Sequence, residues 1–221
     1  MDVDVRPARP GDPVPELLYL SAAPYYAAFA GGAGHARALL ARLYPRRGHT
    51  ASWEVCRVAV VGEAVAGVLA AFPADRGDEL ARRFVRMTLV RTPPWRLPAL
   101  VRHLHATSVI APQPPRDVLY VDALATHPDF RRRGVATALL GEADRMAARA
   151  GLPAVALDTG IENRAARALY ERSGFTGRGL RPAPSERIAR AVGGPGFVGY
   201  VRERPGAFRA RPAGARGSRT R

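Results

Sequence analysis

The sequence predicts an α/β protein of the α+β type, in which helices flank one mixed and mostly antiparallel sheet. Two patterns indicate this class. First, the stretches WEVCRVAVV and AVAGVLAAFP are joined by the two-residue turn Gly62–Glu63, as in a β-hairpin. Second, the strand-like stretches VLYVDALAT and AVALDT flank residues 135–150, whose apolar residues repeat with helical spacing. One hairpin followed by one strand–helix–strand unit does not predict a doubly wound sheet.

The remaining stretches complete the predicted order β-α-α-β-β-(α-α)-β-α-β-α-β. A short strand in DVDVRPARPGD precedes two helical segments, PELLYLSAAPYYAAF and GHARALLARLYP. Residues 74–116 follow the hairpin as a predicted helical insertion, divided by Pro93 and Pro94. Downstream, NRAARALYERSG predicts a short helix and GFVGYVRE a last strand. We therefore expect one domain over residues 1–204 and a disordered tail, rich in Arg, Pro and Gly, over 205–221.

The composition indicates a globular domain, because 221 residues can bury a substantial core and 47% of them are hydrophobic. The net charge of +15 raises the question of a nucleic-acid partner. However, the chain has no lysine, and its many Arg, Ala, Gly and Pro residues are typical of a GC-rich, bacterial-like genome. Residues 201–221 alone hold seven arginines against one acid. We interpret most of the charge as solvated surface and expect no nucleic-acid partner.

Several features bear on compartment and metal binding. Cys56 is the single cysteine, so an intramolecular disulfide and a cysteine-based metal site are excluded, and we expect a buried, inert thiol. The first residues are acidic and then proline-rich, unlike a signal peptide, and the apolar runs are too short for a membrane span. His103 and His105 point in different directions on a helix. We therefore expect a cytoplasmic protein with no membrane partner and no metal.

Residues 127–140, HPDFRRRGVATALL, carry three arginines and a glycine directly before a predicted helix. The first N–H groups of a helix lack intrahelical partners and, together with the helix dipole, favour anions. Gly134 and Ala136 leave room for a ligand to approach the backbone closely. The pattern therefore predicts a phosphate or pyrophosphate site. It is not a Walker loop, which requires a lysine.

Two stretches resemble a known family. Residues 124–136 carry the pattern L-x-T-x-P-x-x-R-x-x-G-x-A, which resembles the acyl-CoA-binding segment of the GNAT N-acetyltransferase superfamily, with its core (R/Q)-x-x-G-x-(G/A). Residues 163–175, NRAARALYERSGF, match the superfamily's N-x-x-A-x-x-L-Y-x-x-x-G-F. Thr126 stands where valine is common. The resemblance spans roughly residues 3–203 and implies the GNAT fold, with a central sheet that splays apart at the CoA site.

The resemblance also implies acetyl-CoA as co-substrate and assigns positions that bind it. The backbone of residues 124–126 would pair with the pantetheine arm, the N–H groups of 132–137 would hold the pyrophosphate, and the three arginines would face the phosphates. Asn163 would hydrogen-bond the pantetheine. The implied cofactor-binding residues are Leu124, Ala125, Thr126, Arg131, Arg132, Arg133, Gly134, Val135, Ala136, Thr137, Asn163 and Arg167.

Three residues are candidates for catalysis. The resemblance makes Tyr170 the general acid that protonates the leaving thiolate. Asn163 and Tyr170 are seven residues apart, on one helix face and about 10 Å apart along its axis. A core tyrosine and a helix-capping asparagine are the alternatives. Asp122 and Asp158 are candidates for the general base, since an acid in an apolar strand needs a partner or a purpose. Structural hydrogen bonding is the alternative for each.

We therefore predict an N-acetyltransferase that moves an acetyl group from acetyl-CoA directly to a primary amine in a ternary complex. The acceptor would be a small-molecule amine or a protein amine, and the insertion over 74–116 would shape its site. Pairing of the last strands would offer a route to a homodimer. The alternatives are a non-catalytic acyl-CoA-binding module and a basic, nucleic-acid-associated protein that uses the C-terminal tail.

Overall fold

The computed structural model describes residues 2–111 and 113–204, so the tail predicted over 205–221 lies outside the described residues. The strands are β1 (Asp4–Pro7), β2 (Cys56–Val61), β3 (Ala64–Pro73), β4 (Val118–Thr126), β5 (Ala154–Gly160), β6 (Thr176–Pro182) and β7 (Gly196–Glu203). The helices are α1 (Pro15–Ser21), α2 (Ala23–Ala30), α3 (Ala33–Leu43), α4 (Gly77–Leu89), α5 (Leu97–Ile110), α6 (Val135–Arg149), α7 (Arg164–Arg172) and α8 (Glu186–Val192).

The described strands form one sheet in the order β1-β2-β3-β4-β5-β7-β6. Within it, β4 and β5 are parallel and every other neighbouring pair is antiparallel. This confirms the predicted mixed, mostly antiparallel sheet. The hairpin forms as predicted, with β2 and β3 meeting at Val61↔Ala64 around Gly62–Glu63.

The predicted order was wrong in two places. It omitted β6 and α8, both of which lie between Gly174 and β7. The stretch of β6, TGRGLRP, lacks apolar alternation because it is an exposed edge strand that pairs with β7 alone. In addition, the first predicted helical segment is two helices, α1 and α2, separated where Ala22 leaves helical geometry just before Pro24.

The helices pack on both faces of the sheet. Helices α1, α2 and α3 cover β2, β3 and the second half of β4, with Leu18, Leu40 and Leu43 fully buried. On the other face, α6 and α7 cover β3, β4, β5 and β7. The predicted helical insertion is α4 and α5, which extend the first of these layers. Phe84 of α4 stacks on Phe29 of α2 with ring centroids 5.6 Å apart.

A β-bulge interrupts β4. Ala70 of β3 pairs with Ala123, and Ala71 pairs with Val121, so Asp122 is an extra residue on β4. Val121 lies in the core on the α6 face, whereas Ala123 lies in the core on the α1–α3 face. The bulge therefore changes the side to which β4 directs its residues, at the position of a candidate catalytic acid.

None of the helices in the described part of the chain is long and apolar enough to cross a membrane.

Candidate active site

The two parallel strands part at the two acids. The pairing of β4 with β5 runs from Val118↔Ala154 to Val121↔Leu157 and ends there. Both strands continue beyond that point, and the next residues in register are Asp122 and Asp158. Because β5 keeps its pairing with β7 and β4 keeps its pairing with β3, the sheet opens between them. The two carboxylates lie at the start of this opening.

A cavity of about 620 Å³ includes the opening, since residues 122–124 of β4 and 158–160 of β5 both line it. It brings together Asp122, Asp158, Leu124, Asn163 and Tyr170, all predicted site residues. Most of the remaining wall comes from α1, α2, β3, α4 and α5 and from the loop between α8 and β7. The aromatic residues that line the cavity are Tyr25, Tyr26, Phe29, Phe72, Phe84, Tyr120 and Phe197.

Asp122 is open to the cavity but is surrounded by protein. Its charge acts on the nearby side chains of Tyr25, Tyr26 and Cys56. Burial among these groups, and then the negative charge of Asp158, raise the pKa of Asp122 to about 7. A carboxylate with this pKa can take up a proton near neutral pH.

Asp158 is held more firmly than Asp122. Its side chain is 9% exposed, and Nη1 of Arg181 lies 3.9 Å from Oδ1. Burial raises the pKa of Asp158 to about 6, opposed by the charge of Arg181 and by a hydrogen bond from Tyr120. A Cβ at position 199 would lie 3.1 Å from Oδ1, so Gly199 of β7 leaves the carboxylate its space.

Tyr170 reaches the cavity from the opposite face of the sheet. It belongs to the core on the α6 face, with its ring centroid 5.9 Å from that of Phe175 and 5.7 Å from that of Tyr200. Burial and then the neighbouring Tyr200 raise the pKa of Tyr170 to about 12. Tyr170 therefore keeps its proton at neutral pH and can donate it. The opening between β4 and β5 connects it to Asp122 on the α2 side.

Asn163 and Arg167 both have structural contacts. Asn163 is the N-cap of α7, and its Oδ1 accepts a hydrogen bond from the Ala166 N–H at 3.2 Å. It is also exposed and lines the cavity, so capping leaves it available to a ligand. Arg167 donates from Nε to the Tyr200 hydroxyl at 3.3 Å and from Nη1 to the Ile161 carbonyl at 3.2 Å. Its guanidinium therefore links α7 to β7 and to the loop that precedes α7.

The arginine-rich loop has the backbone of an anion site. Arg132 and Gly134 both have left-handed backbones, with φ of 57° and 80°. The first i→i−4 hydrogen bond of α6 joins the Ala138 N–H to the Gly134 carbonyl at 2.9 Å. The N–H groups of residues 135–137 precede it and have no intrahelical acceptor. The side chains of residues 131–133 are exposed.

The preceding strand end also presents its backbone to the opening. Thr126 and Ala125 pair with Gly67 and Val68 of β3, while the other edge of β4 has left β5 four residues earlier. Gly67 sets how closely α6 sits on the sheet, because a Cβ there would lie 2.7 Å from Cγ1 of Val135. Helix α6 therefore begins directly over the end of β4.

Sequence reasoning missed several parts of the site. Tyr120, which hydrogen-bonds Asp158, has the sequence context of an ordinary strand residue, and Arg181 lies in β6, the strand that the sequence did not predict.

His103 is buried in α5 and hydrogen-bonds the Ala191 carbonyl through Nδ1 at 2.6 Å. Within the described ranges, no three His, Cys, Asp or Glu residues are grouped to hold a metal ion.

A model of the acetyltransferase (GNAT) family matches residues 40–175, more than half of the chain. The chain therefore belongs to the GNAT acetyltransferase family. The predicted GNAT fold is confirmed, and the protein is an acyltransferase.

Comparison with individual proteins is consistent with this assignment. An uncharacterized N-acetyltransferase of Methanocaldococcus jannaschii is 40% identical over 60 residues, which are 27% of this chain and 26% of that protein. The match thus spans about a quarter of the relative's length. An N-acetyltransferase structure from Staphylococcus aureus Mu50 has a TM-score of 0.65 and 18% identity, over 90% of this chain and 99% of that one. Another acetyltransferase structure has a TM-score of 0.62 and 17% identity, over 90% and 98%. At these identities the two structures show a shared fold.

Proposed function

We propose that this acyltransferase moves an acetyl group from acetyl-CoA directly to a primary amine in a ternary complex. One observation carries the proposal. The opening between β4 and β5 joins a carboxylate with a raised pKa, Asp122, to a protonated tyrosine, Tyr170, through one cavity. Amine acylation by a thioester needs a base for the incoming ammonium and an acid for the departing thiolate.

The donor side fits a CoA thioester. The N–H groups at the start of α6 would hold the pyrophosphate, with the side chains of Arg131, Arg132 and Arg133 available to the phosphates. The free edge of residues 124–126 would accept the pantetheine arm as a neighbouring strand does. Asn163 lies further along the cavity wall, where the amide groups of that arm would pass.

The two acids have different roles in this proposal. Asp122 accepts a proton from the ammonium of the acceptor, because it is open to the cavity and has no salt bridge within the described chain. The freed amine attacks the thioester carbonyl, the carbon–sulfur bond breaks, and Tyr170 donates its hydroxyl proton to the sulfur. The attacking nitrogen loses its second proton to solvent as the amide forms, and Tyr170 regains a proton from solvent. Asp158, held by Arg181 and Tyr120, orients the ammonium beside Asp122.

Direct transfer is also supported by the cysteine. Cys56 is fully buried, and burial followed by the negative charge of Asp122 raises the pKa of its thiol. The only cysteine of the chain is therefore unsuited to carry an acetyl group.

The test begins with calorimetric titration of the purified protein with acetyl-CoA, CoA and ATP. Micromolar binding of both CoA compounds without ATP binding is expected. Initial rates of thiol release are then measured while acetyl-CoA and an amine are both varied. Intersecting double-reciprocal lines and an unmodified protein mass would support a ternary complex. Parallel lines with an acetylated protein would overturn direct transfer, and CoA binding without turnover of any amine would favour a non-catalytic acyl-CoA-binding module.

A further inference from the structure

The charge of the cavity wall is opposite to that of the chain. The protein carries a net charge of +15 and has 34 basic residues, all arginine. Four acids nevertheless line the cavity: Asp78, Asp122, Asp158 and Glu162. Across residues 2–111 and 113–204, no arginine or histidine lines it. In so arginine-rich a chain, a wall with acids alone is a specific feature of this site.

The arginine that comes nearest to the carboxylates is already engaged. Nη1 of Arg181 lies 3.9 Å from Asp158 and also donates to the Ala111 carbonyl at 3.3 Å. Arg181 does not itself line the cavity. It therefore offsets part of the charge of Asp158 without offering a free guanidinium to a ligand.

Aromatic rings make up much of the remaining wall. Phe29 and Phe84 stack with centroids 5.6 Å apart, and Phe72 lies 6.0 Å from Tyr120. These rings come from α2, α4, β3 and β4, so they surround the cavity on several sides. Aromatic faces attract cations and apolar groups, and their negative electrostatic potential does not attract a carboxylate.

We propose that the acceptor is a small cationic amine without a carboxylate, and that the acidic wall rejects free amino acids by charge. This inference rests on the proposed function, since the amine must reach Asp122. An α-carboxylate would then lie beside Asp122 and Asp158 with no free cation among the described lining residues to pair with it, and like charges in contact strongly disfavour binding. A volume of about 620 Å³ suits a small molecule.

The test uses acceptors that differ in one group. Phenethylamine, phenylalaninamide and phenylalanine share an amine and a ring, and they differ by a hydrogen, a neutral amide and a carboxylate. We expect kcat/KM for phenylalanine to be roughly 100-fold or more below that for phenethylamine, with the amide within about 10-fold of the amine. Cadaverine and lysine form a second pair with the same expected preference. Rejection of the amide together with phenylalanine would show exclusion by size and would overturn the proposal.

A matched pair of variants tests the wall itself. Asp78 and Glu79 are adjacent, exposed acids in the first turn of α4, but only Asp78 lines the cavity. Asp78→Arg is expected to reduce the preference for phenethylamine over phenylalanine by roughly 10-fold, because it supplies a cation. Glu79→Arg changes the net charge equally and should leave the preference unaltered. Equal effects of both variants would contradict a role for the wall.

A binding measurement separates this inference from the proposed function. Protein saturated with CoA is titrated with each amine and its carboxylated partner by calorimetry, which needs no turnover. If the amines bind, their carboxylated partners do not, and no acetyl group is transferred, the inference is supported and the proposed function is refuted. If acetyl is transferred to phenylalanine as fast as to phenethylamine, the proposed function is supported and the inference is overturned. Transfer to a peptide N-terminus in preference to every small amine would overturn the inference as well.

Discussion

The proposed donor side and the proposed acceptor side of this candidate active site are built in different ways. The donor side consists of residues 124–137 and 163–170, two short stretches of chain that use backbone N–H groups and strand edges. The acceptor side draws carboxylates from β4 and β5 and rings from α2, β3 and α4, and it is closed by the loop after α8. The donor side is therefore a local structure, while the acceptor side exists only once the whole sheet has formed.

This difference would separate the binding of the acetyl donor from the choice of the acceptor. Backbone groups at a helix start and a free strand edge bind a phosphate and an extended arm without regard to the acceptor. In the proposed function, the acid-lined and aromatic wall acts on the amine acceptor alone. Changes on one side are therefore expected to leave the other side's substrate constant nearly unaltered, and the following variants test that separation.

The largest effect is expected for Asp122→Asn. Removal of the base should lower kcat/KM by about 10³-fold, with little change in the affinity for acetyl-CoA. In the wild type, kcat/KM should fall below about pH 7, where Asp122 becomes protonated. The variant should lose this dependence. The measurement is the pH profile of kcat/KM for both proteins.

Stability should change in the opposite direction. The folded pKa of Asp122 is raised, so ionisation of this group disfavours the folded state as the pH rises from about 4 to about 7. Asp122→Asn should therefore unfold at a higher temperature than the wild type at pH 8 and show little difference at pH 4. Asp158→Asn is the control, because it should retain a rise in activity, moved to a lower pH since the charge of Asp158 no longer raises the pKa of Asp122. Loss of that rise in Asp158→Asn alone would identify Asp158 as the base.

Tyr170→Phe should have the next largest effect, a fall in kcat of about 10²-fold, since the thiolate would leave without a proton. Tyr200→Phe is a matched control, because Tyr200 is equally buried and 5.7 Å away but does not line the cavity. It loses the hydrogen bond donated to Glu171 and the one accepted from Arg167, and it should cost stability rather than activity. Steady-state rates and thermal unfolding of both variants provide the comparison. Unchanged turnover in Tyr170→Phe would remove Tyr170 from the chemistry.

The same contrast explains which parts of the molecule could be predicted from the sequence. The loop before α6, the helix of Tyr170 and most strands follow from local patterns, because backbone geometry and periodicity are local properties. The bulge at Asp122 depends on the register between β3 and β4. The proximity of Asp122 to Asp158 depends on where β4 and β5 part. Strand β6 is exposed and glycine-rich, so its sequence gives no strand signal. Tyr25 lines the cavity whereas Trp95 is 78% exposed, and this difference depends on how the helices pack on the sheet, which no local pattern indicates.

Two glycine variants should perturb the two sides separately. Gly193→Ala would place a Cβ 2.4 Å from the Pro24 carbonyl, at φ of 81°, where α8 closes the acceptor cavity on α2. Gly67→Ala would place one 2.7 Å from Val135, under the start of α6. Each should lower the free energy of unfolding by about 1–3 kcal/mol. Gly193→Ala should raise KM for the amine, and Gly67→Ala should raise KM for acetyl-CoA.

Gly141→Ala is the control for both glycine variants, because a Cβ there meets nothing closer than 3.9 Å, within helix α6. It should gain up to about 1 kcal/mol of stability with both KM values unaltered. Steady-state kinetics with each substrate varied in turn would distinguish the outcomes. A rise in both KM values in either glycine variant would contradict the separation of the two sides.

The smallest effect is expected at Asn163, which has a structural role and a proposed ligand role. Asn163→Ser keeps a good N-cap for α7, so stability should change by no more than about 0.5 kcal/mol. It removes the side-chain amide, so the affinity for acetyl-CoA should fall about 3- to 10-fold. The Ser185 hydroxyl caps α8 by accepting a hydrogen bond from the Ile188 N–H at 3.3 Å. Ser185→Ala removes this cap and should reduce stability without this loss of affinity. Calorimetry and thermal unfolding together decide between the two roles. If Asn163→Ser binds acetyl-CoA as tightly as the wild type, Asn163 serves α7 alone, and the donor arm is held by the backbone of β4.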